Sequence, residues 1–72
     1  MKQTTTVHGH IVDYDDVTAK YGIHFLLYSL NAQEAKVFFN EAFRNHTALF
    51  EDQMDRKYKL IYHTNRYELV KA

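Results

Sequence analysis

The chain contains no cysteine. That removes disulfide frameworks, thiolate zinc sites, iron–sulfur clusters and thiol nucleophiles together. Small extracellular domains commonly depend on disulfides, so a cytoplasmic location is the expectation. Proline is absent too, and no repeat, linker or low-complexity tract divides residues 1–72, which read as a single domain. The two glycines, Gly9 and Gly22, stand apart and make no phosphate-cradling loop. Ser29, the one serine, lies in an apolar stretch and not on a nucleophile elbow. Neither sign of charge dominates: nine Lys and Arg balance nine Asp and Glu. A globally basic nucleic-acid binder and a strongly acidic mimic of DNA are both disfavoured. Long apolar runs are missing as well. The most apolar stretch, Ile23 to Leu30, is broken by His24 and falls far short of the roughly 20 residues of a membrane helix. Met1-Lys2-Gln3 leads into threonines, not into an apolar signal core.

What remains is a 72-residue chain that is 46% hydrophobic. Size scaling gives it about 4,700 Å² of exposed surface when folded, enough for one core and little room for a deep enclosed site.

The pattern along the chain predicts ββαβββ. Val7, Gly9 and Ile11 alternate with His8, His10 and Val12, suggesting a first strand over about residues 4–13. A polar turn over residues 13–16 follows. Residues 21–30, rich in aromatic and branched side chains, read as a second strand. The helix has the clearest signature. Asn31 is a good N-cap with Glu34 three residues on, and Ala35, Phe38, Phe39, Ala42 and Phe43 form one apolar stripe. Asn45 is the candidate left-handed stop. Residues 47–52, 57–63 and 67–71 read as three further strands, with a turn over 53–56 and a hairpin loop over 64–66 in which Asn65 takes positive φ. The expected fold is α+β: an antiparallel sheet of about five strands with one amphipathic helix packed on one face.

The helix can cover only one side. The covered set is expected to be Val7, Ile11, Ile23, Phe25, Leu27, Phe50, Tyr58, Leu60, Tyr62, Tyr67 and Leu69. The open face of such a sheet should be polar. Parity instead gives it Val12, Tyr14, Leu26, Tyr28, Leu49, Ile61 and Val70. A contiguous apolar patch on a small domain marks an interaction site, so Val12, Tyr14, Leu26, Tyr28, Ile61 and Val70 are the candidate partner-binding residues. The alternative site is the C-terminal hairpin. Lys57, Lys59, His63, Arg66 and Lys71 lie there with interleaved tyrosines, a composition suited to single-stranded nucleic acid. Its weakness is that Tyr58, Tyr62 and Tyr67 share the core parity.

His8, His10, His24 and His63 share the outward parity, and imidazole suits zinc, copper or nickel. Convergence on one point is not readable from sequence, and a proton-sensitive surface is the better expectation than a metal site. Asp13-x-Asp15-x-Val17 resembles the nucleophile loop of haloacid-dehalogenase-type phosphatases over five residues. That chemistry needs a parallel α/β scaffold and a distant lysine, so the segment is read as an acidic turn capping its own amides. Glu34 and Glu41 sit about 10 Å apart along a helix, a solvated face more than an acid–base pair. The expectation is therefore a non-enzymatic protein-interaction module without a cofactor. It would be an adaptor, an antitoxin or a phage-type inhibitor of a larger protein. It would bind a partner protein or a second copy of itself through the helix-free sheet face, with no membrane contact and no small-molecule substrate.

Overall fold

The computed structural model describes residues 2–72. Strands β1 (Lys2–Val7) and β2 (His10–Asp15) come first, followed by a short helix α1 (Lys20–His24) that runs into a π-helical turn (Phe25–Ser29). Helix α2 (Ala32–Asn45) and strands β3 (Thr47–Glu51), β4 (Lys57–His63) and β5 (Arg66–Lys71) complete the chain. The sheet order is β1-β2-β5-β4-β3. The helical stretch carries the chain to the far edge, and two hairpins walk it back until β5 meets β2. That last pairing is parallel, through Val12↔Tyr67, Asp13↔Glu68 and Tyr14↔Leu69. The sheet is mixed, and the purely antiparallel expectation does not hold.

Two segments differ from the sequence reading. Residues 4–13 are not one strand but a hairpin that reverses at His8 and Gly9, whose φ values are +49° and +88°. Gly9 tolerates that conformation without penalty, and paired positive φ is what a tight two-residue hairpin turn requires. The reversal makes Val7 and His10 cross-strand partners, so both face the core although an unbroken strand would set them on opposite sides. Hence His10, Val12 and Tyr14 point inward, and Ile11 points out.

The second difference is at residues 21–30, which are helical. The burial of Ala19, Ile23 and Leu26, with Leu30 partly buried against them, follows helical spacing and not alternation. An acidic turn starts the segment as expected: Asp15 Oδ1 accepts from the Val17 and Thr18 amides at 2.8 and 3.2 Å. The chain thus has two helices where one is expected. Helix α2 matches its sequence signature. Asn31 Oδ1 accepts from the Glu34 amide at 2.8 Å, and the Glu34 carboxylate accepts from the Asn31 amide at 2.9 Å. Asn45 is its last residue, and His46 (φ +70°) takes the left-handed position one step later than expected. Asn65 has the anticipated positive φ of +61°.

Both helices lie on one face of the sheet and close the core around Val7, Val12, Leu60 and Leu69, with Leu26 and Phe39 set onto them. The accessible surface is 4744 Å², close to the size expectation. Gly22 is where α1 comes nearest the sheet. A Cβ there would lie 2.9 Å from Leu69 Cδ2 and 2.9 Å from Tyr58 Cδ1, both on buried side chains. Alanine is worth about 1 kcal/mol over glycine in a helix, so packing selects the glycine. Gly22→Ala is expected to lower stability by up to about 2 kcal/mol, the overpacking cost of about 1–3 kcal/mol less the propensity gain of about 1 kcal/mol. Urea unfolding checks this.

Candidate functional site

The six residues expected on an open sheet face are scattered. Val12 and Leu26 are fully buried in the core, and Tyr14 packs against it. Ile61 and Val70 do lie on the helix-free face, half-buried, with Leu49 exposed beside them. Tyr28 is 78% exposed but sits on the π-helical turn. The helix-free face is crossed by a polar network. Arg66 donates to Asp13 at 2.7 Å, Thr4 donates to the same carboxylate, Lys2 donates to Glu68 at 2.8 Å, and His63 pairs with Glu68 at 3.0 Å. The Thr4 hydroxyl and the Arg66 guanidinium hold the Asp13 carboxyl below its ordinary range, against the opposing push of burial. Lys2 and His63 do the same for Glu68. Ile11, 47% exposed, lies on the far side of this network from Leu49, Ile61 and Val70, so the apolar residues of the face are divided by charged ones.

The basic hairpin set divides too. Arg66 and His63 are committed to carboxylates, and Lys57 stands opposite Glu51 in the ladder. Lys59 is outward, whereas Lys71 pairs with the core-facing Tyr58 and so falls on the other face. The histidines do not converge. His8 sits in the hairpin turn, His10 faces the core, His24 is on α1 and His63 is on β4. Among the described residues no three side chains are placed to hold a metal ion. Also among these, no helix is long and apolar enough to cross a membrane.

A different surface gathers exposed aromatic side chains. Tyr21, His24 and Tyr28 follow one another along one side of α1 and the π-helical turn. Ring centroids are 6.4 Å apart from Tyr21 to His24 and 5.6 Å from His24 to Tyr28. The β3–β4 loop rises against them. Its anchor is Asp52, whose side chain is 4% exposed. Asp52 Oδ1 accepts from the Met54 and Arg56 amides at 2.9 Å each, and Oδ2 takes the Arg56 Nε. Burial alone would raise the Asp52 carboxyl, but the guanidinium and the two amides outweigh it and hold the group below its ordinary value. The Asp52 amide in turn donates to the Arg56 carbonyl at 3.0 Å, and Asp55 takes positive φ at the bend. So braced, the loop lays the Arg56 guanidinium 4.2 Å above the Tyr21 ring and holds Met54 out, 71% exposed. Between loop and helix runs a shallow groove of about 180 Å³ lined by Tyr21, His24, Phe25, Tyr28, Asp52, Met54 and Arg56 among others.

The sequence pattern puts Tyr28 on a strand and gives no site role to Tyr21, Met54 or Arg56. The available signal was the i, i+3, i+7 spacing of Tyr21, His24 and Tyr28, which has meaning only if the segment is helical.

As a class the chain is a small α+β domain, a five-stranded mixed sheet with two helices on one face. No protein family, curated protein or solved structure matches it.

Proposed function

We propose that the chain is a non-enzymatic protein-interaction module that docks through the Tyr21–Tyr28–Met54 face, and that the partner seated there is a second copy of the chain. The observation that carries this reading is the Asp52 brace. A buried carboxylate satisfies two amides and a guanidinium to hold a loop whose exposed product is Met54 beside two exposed tyrosines. Tyr, Met and Arg are the residues enriched at interface cores, and a rigid presenting loop removes ordering cost from binding.

Two features favour a second copy. The groove's one carboxylate and one guanidinium are bonded to each other, so two such faces meet without like-charge repulsion. Tyr28 both lines the groove and stands 78% exposed, so one face offers a projecting ring and a receiving groove together, as an isologous contact needs.

The test is light scattering on the eluting peak at about 100 µM, where a micromolar dimer is populated. A nucleic-acid-free dimer is expected. Tyr28→Asp is expected to weaken it at least tenfold, as a loss of about 2 kcal/mol at an interface anchor does. Leu49→Asp on the sheet face should leave it unchanged. A monomer at that concentration, or a dimer indifferent to Tyr28→Asp, refutes the reading. Copurifying nucleic acid would favour Lys57 and Lys59 instead.

A further inference from the structure

The β1–β2 hairpin turn carries two histidines with different tasks. His8 Nε2 lies 2.8 Å from the Leu26 carbonyl oxygen, within the π-helical turn. A carbonyl has no proton, so His8 donates. The next donor along a π-helix for that carbonyl is the Asn31 amide, five residues on. That amide is already committed to Glu34 in the cap of α2. His8 therefore supplies a partner from outside the helix and ties the turn to the segment that bears Tyr28.

His10 faces the other way. Its ring stacks on Phe39 with centroids 4.2 Å apart and meets Tyr67 edge-on at 5.5 Å. The groups facing it are the Phe39 ring from α2, Tyr67 from β5 and His8 from its own hairpin. Tyr67 gives its hydroxyl proton to the Phe39 carbonyl at 3.4 Å and so offers His10 no counter-charge. Among the described residues no carboxylate acts on His10, and the charge that reaches it is that of His8, which opposes protonation.

From this geometry we infer that the hairpin is a pH-sensitive clamp. With His10 neutral, the stack on Phe39 holds the turn in place and His8 holds the π-helical turn. When His10 takes a proton, the imidazolium leaves the apolar stack for water, the turn follows, and His8 loses the Leu26 carbonyl.

The sign is set by burial first and by His8 second, both of which lower the folded pKa of His10 from 6.5. The clamp's contribution is fully present above about pH 6.5 and is lost as the pH falls through the lower, folded value. His10 is only partly buried, so solvent can reach and protonate its ring. The inference does not depend on what docks at Tyr28.

The direct test follows the His10 ring resonances and hydrogen exchange of the Leu30 amide, which donates to the Phe25 carbonyl, between about pH 7.5 and pH 5. After correction for intrinsic exchange, Leu30 protection is expected to fall severalfold in step with His10 titration. His10→Phe, which keeps a stacking ring and has no proton to gain, should abolish that response. His8→Asn suits the positive φ but is too short to reach Leu26. In this variant Leu30 should exchange fast at every pH while His10 still titrates. Leu30 protection that stays flat while His10 titrates, or a response that survives His10→Phe, overturns the clamp.

Discussion

Replacing Phe39 with alanine is expected to cost about 3–5 kcal/mol, the range for deleting a large buried aromatic. A domain of this length has on the order of 4–11 kcal/mol in total, so the variant should lose a large share of its stability. The position explains the size of the effect. Phe39 is fully buried, stacks on His10, and meets the Tyr67 ring at 4.9 Å. No neighbouring strand can move in to fill the void, because His10 and Tyr67 belong to β2 and β5, which are locked together in the sheet. Phe39→Leu separates volume from ring contacts and should lose only about 1–2 kcal/mol. Urea unfolding of both variants gives the comparison. The alanine variant, where still folded, should also let His10 titrate closer to the ordinary histidine value, since the ring that excludes water from it is gone.

Asp52→Ala should be the other severe substitution, with a loss of about 1–3 kcal/mol. It removes a buried carboxylate, leaving two backbone amides without their acceptor and a guanidinium, 40% exposed, that turns to water. The loop is then expected to lose its shape, so that Met54 no longer stands beside Tyr21 and Tyr28. Asp52→Asn keeps an oxygen for the Met54 and Arg56 amides and drops the charge that holds Arg56, so its cost should be about half as large. Thermal unfolding ranks the three proteins. If the alanine and asparagine variants were equally stable, the guanidinium contact and not the amide pair would be what braces the loop. If neither differed from the parent, the loop would not be braced by Asp52 at all.

Much of the second half of the chain was legible. The Asn31–Glu34 cap and the apolar stripe through Phe39 locate α2, and clean alternation locates β3, β4 and β5. The failures lie in the first thirty residues and have two causes. His8-Gly9 is a two-residue hairpin turn inside a run that also alternates, and one unseen reversal inverts the facing of every later residue in the strand. Tyr21 to Leu30 alternates by type as well as repeating at helical spacing, and short apolar runs do not settle that ambiguity. Packing does: Gly22 lets α1 approach Tyr58 and Leu69 closely, a contact invisible before the sheet is assembled. The candidate site inherited both errors. Val12, Tyr14 and Leu26 moved inward, and the exposed ring series could not be seen until Tyr21, His24 and Tyr28 shared a helical side. The loop that completes it depends on Asp52, whose role follows from burial and not from residue type.

On this proposal the helix–loop face, and not the sheet, is where the chain meets its partner copy. Amide shifts of the isotope-labelled protein, followed on dilution from about 1 mM to about 10 µM to span a micromolar dissociation constant, test it most directly. Concentration-dependent shifts confined to residues 20–29 and 52–56 are the predicted result. Shifts centred on Leu49, Ile61 and Val70, or none anywhere in that range, would contradict it.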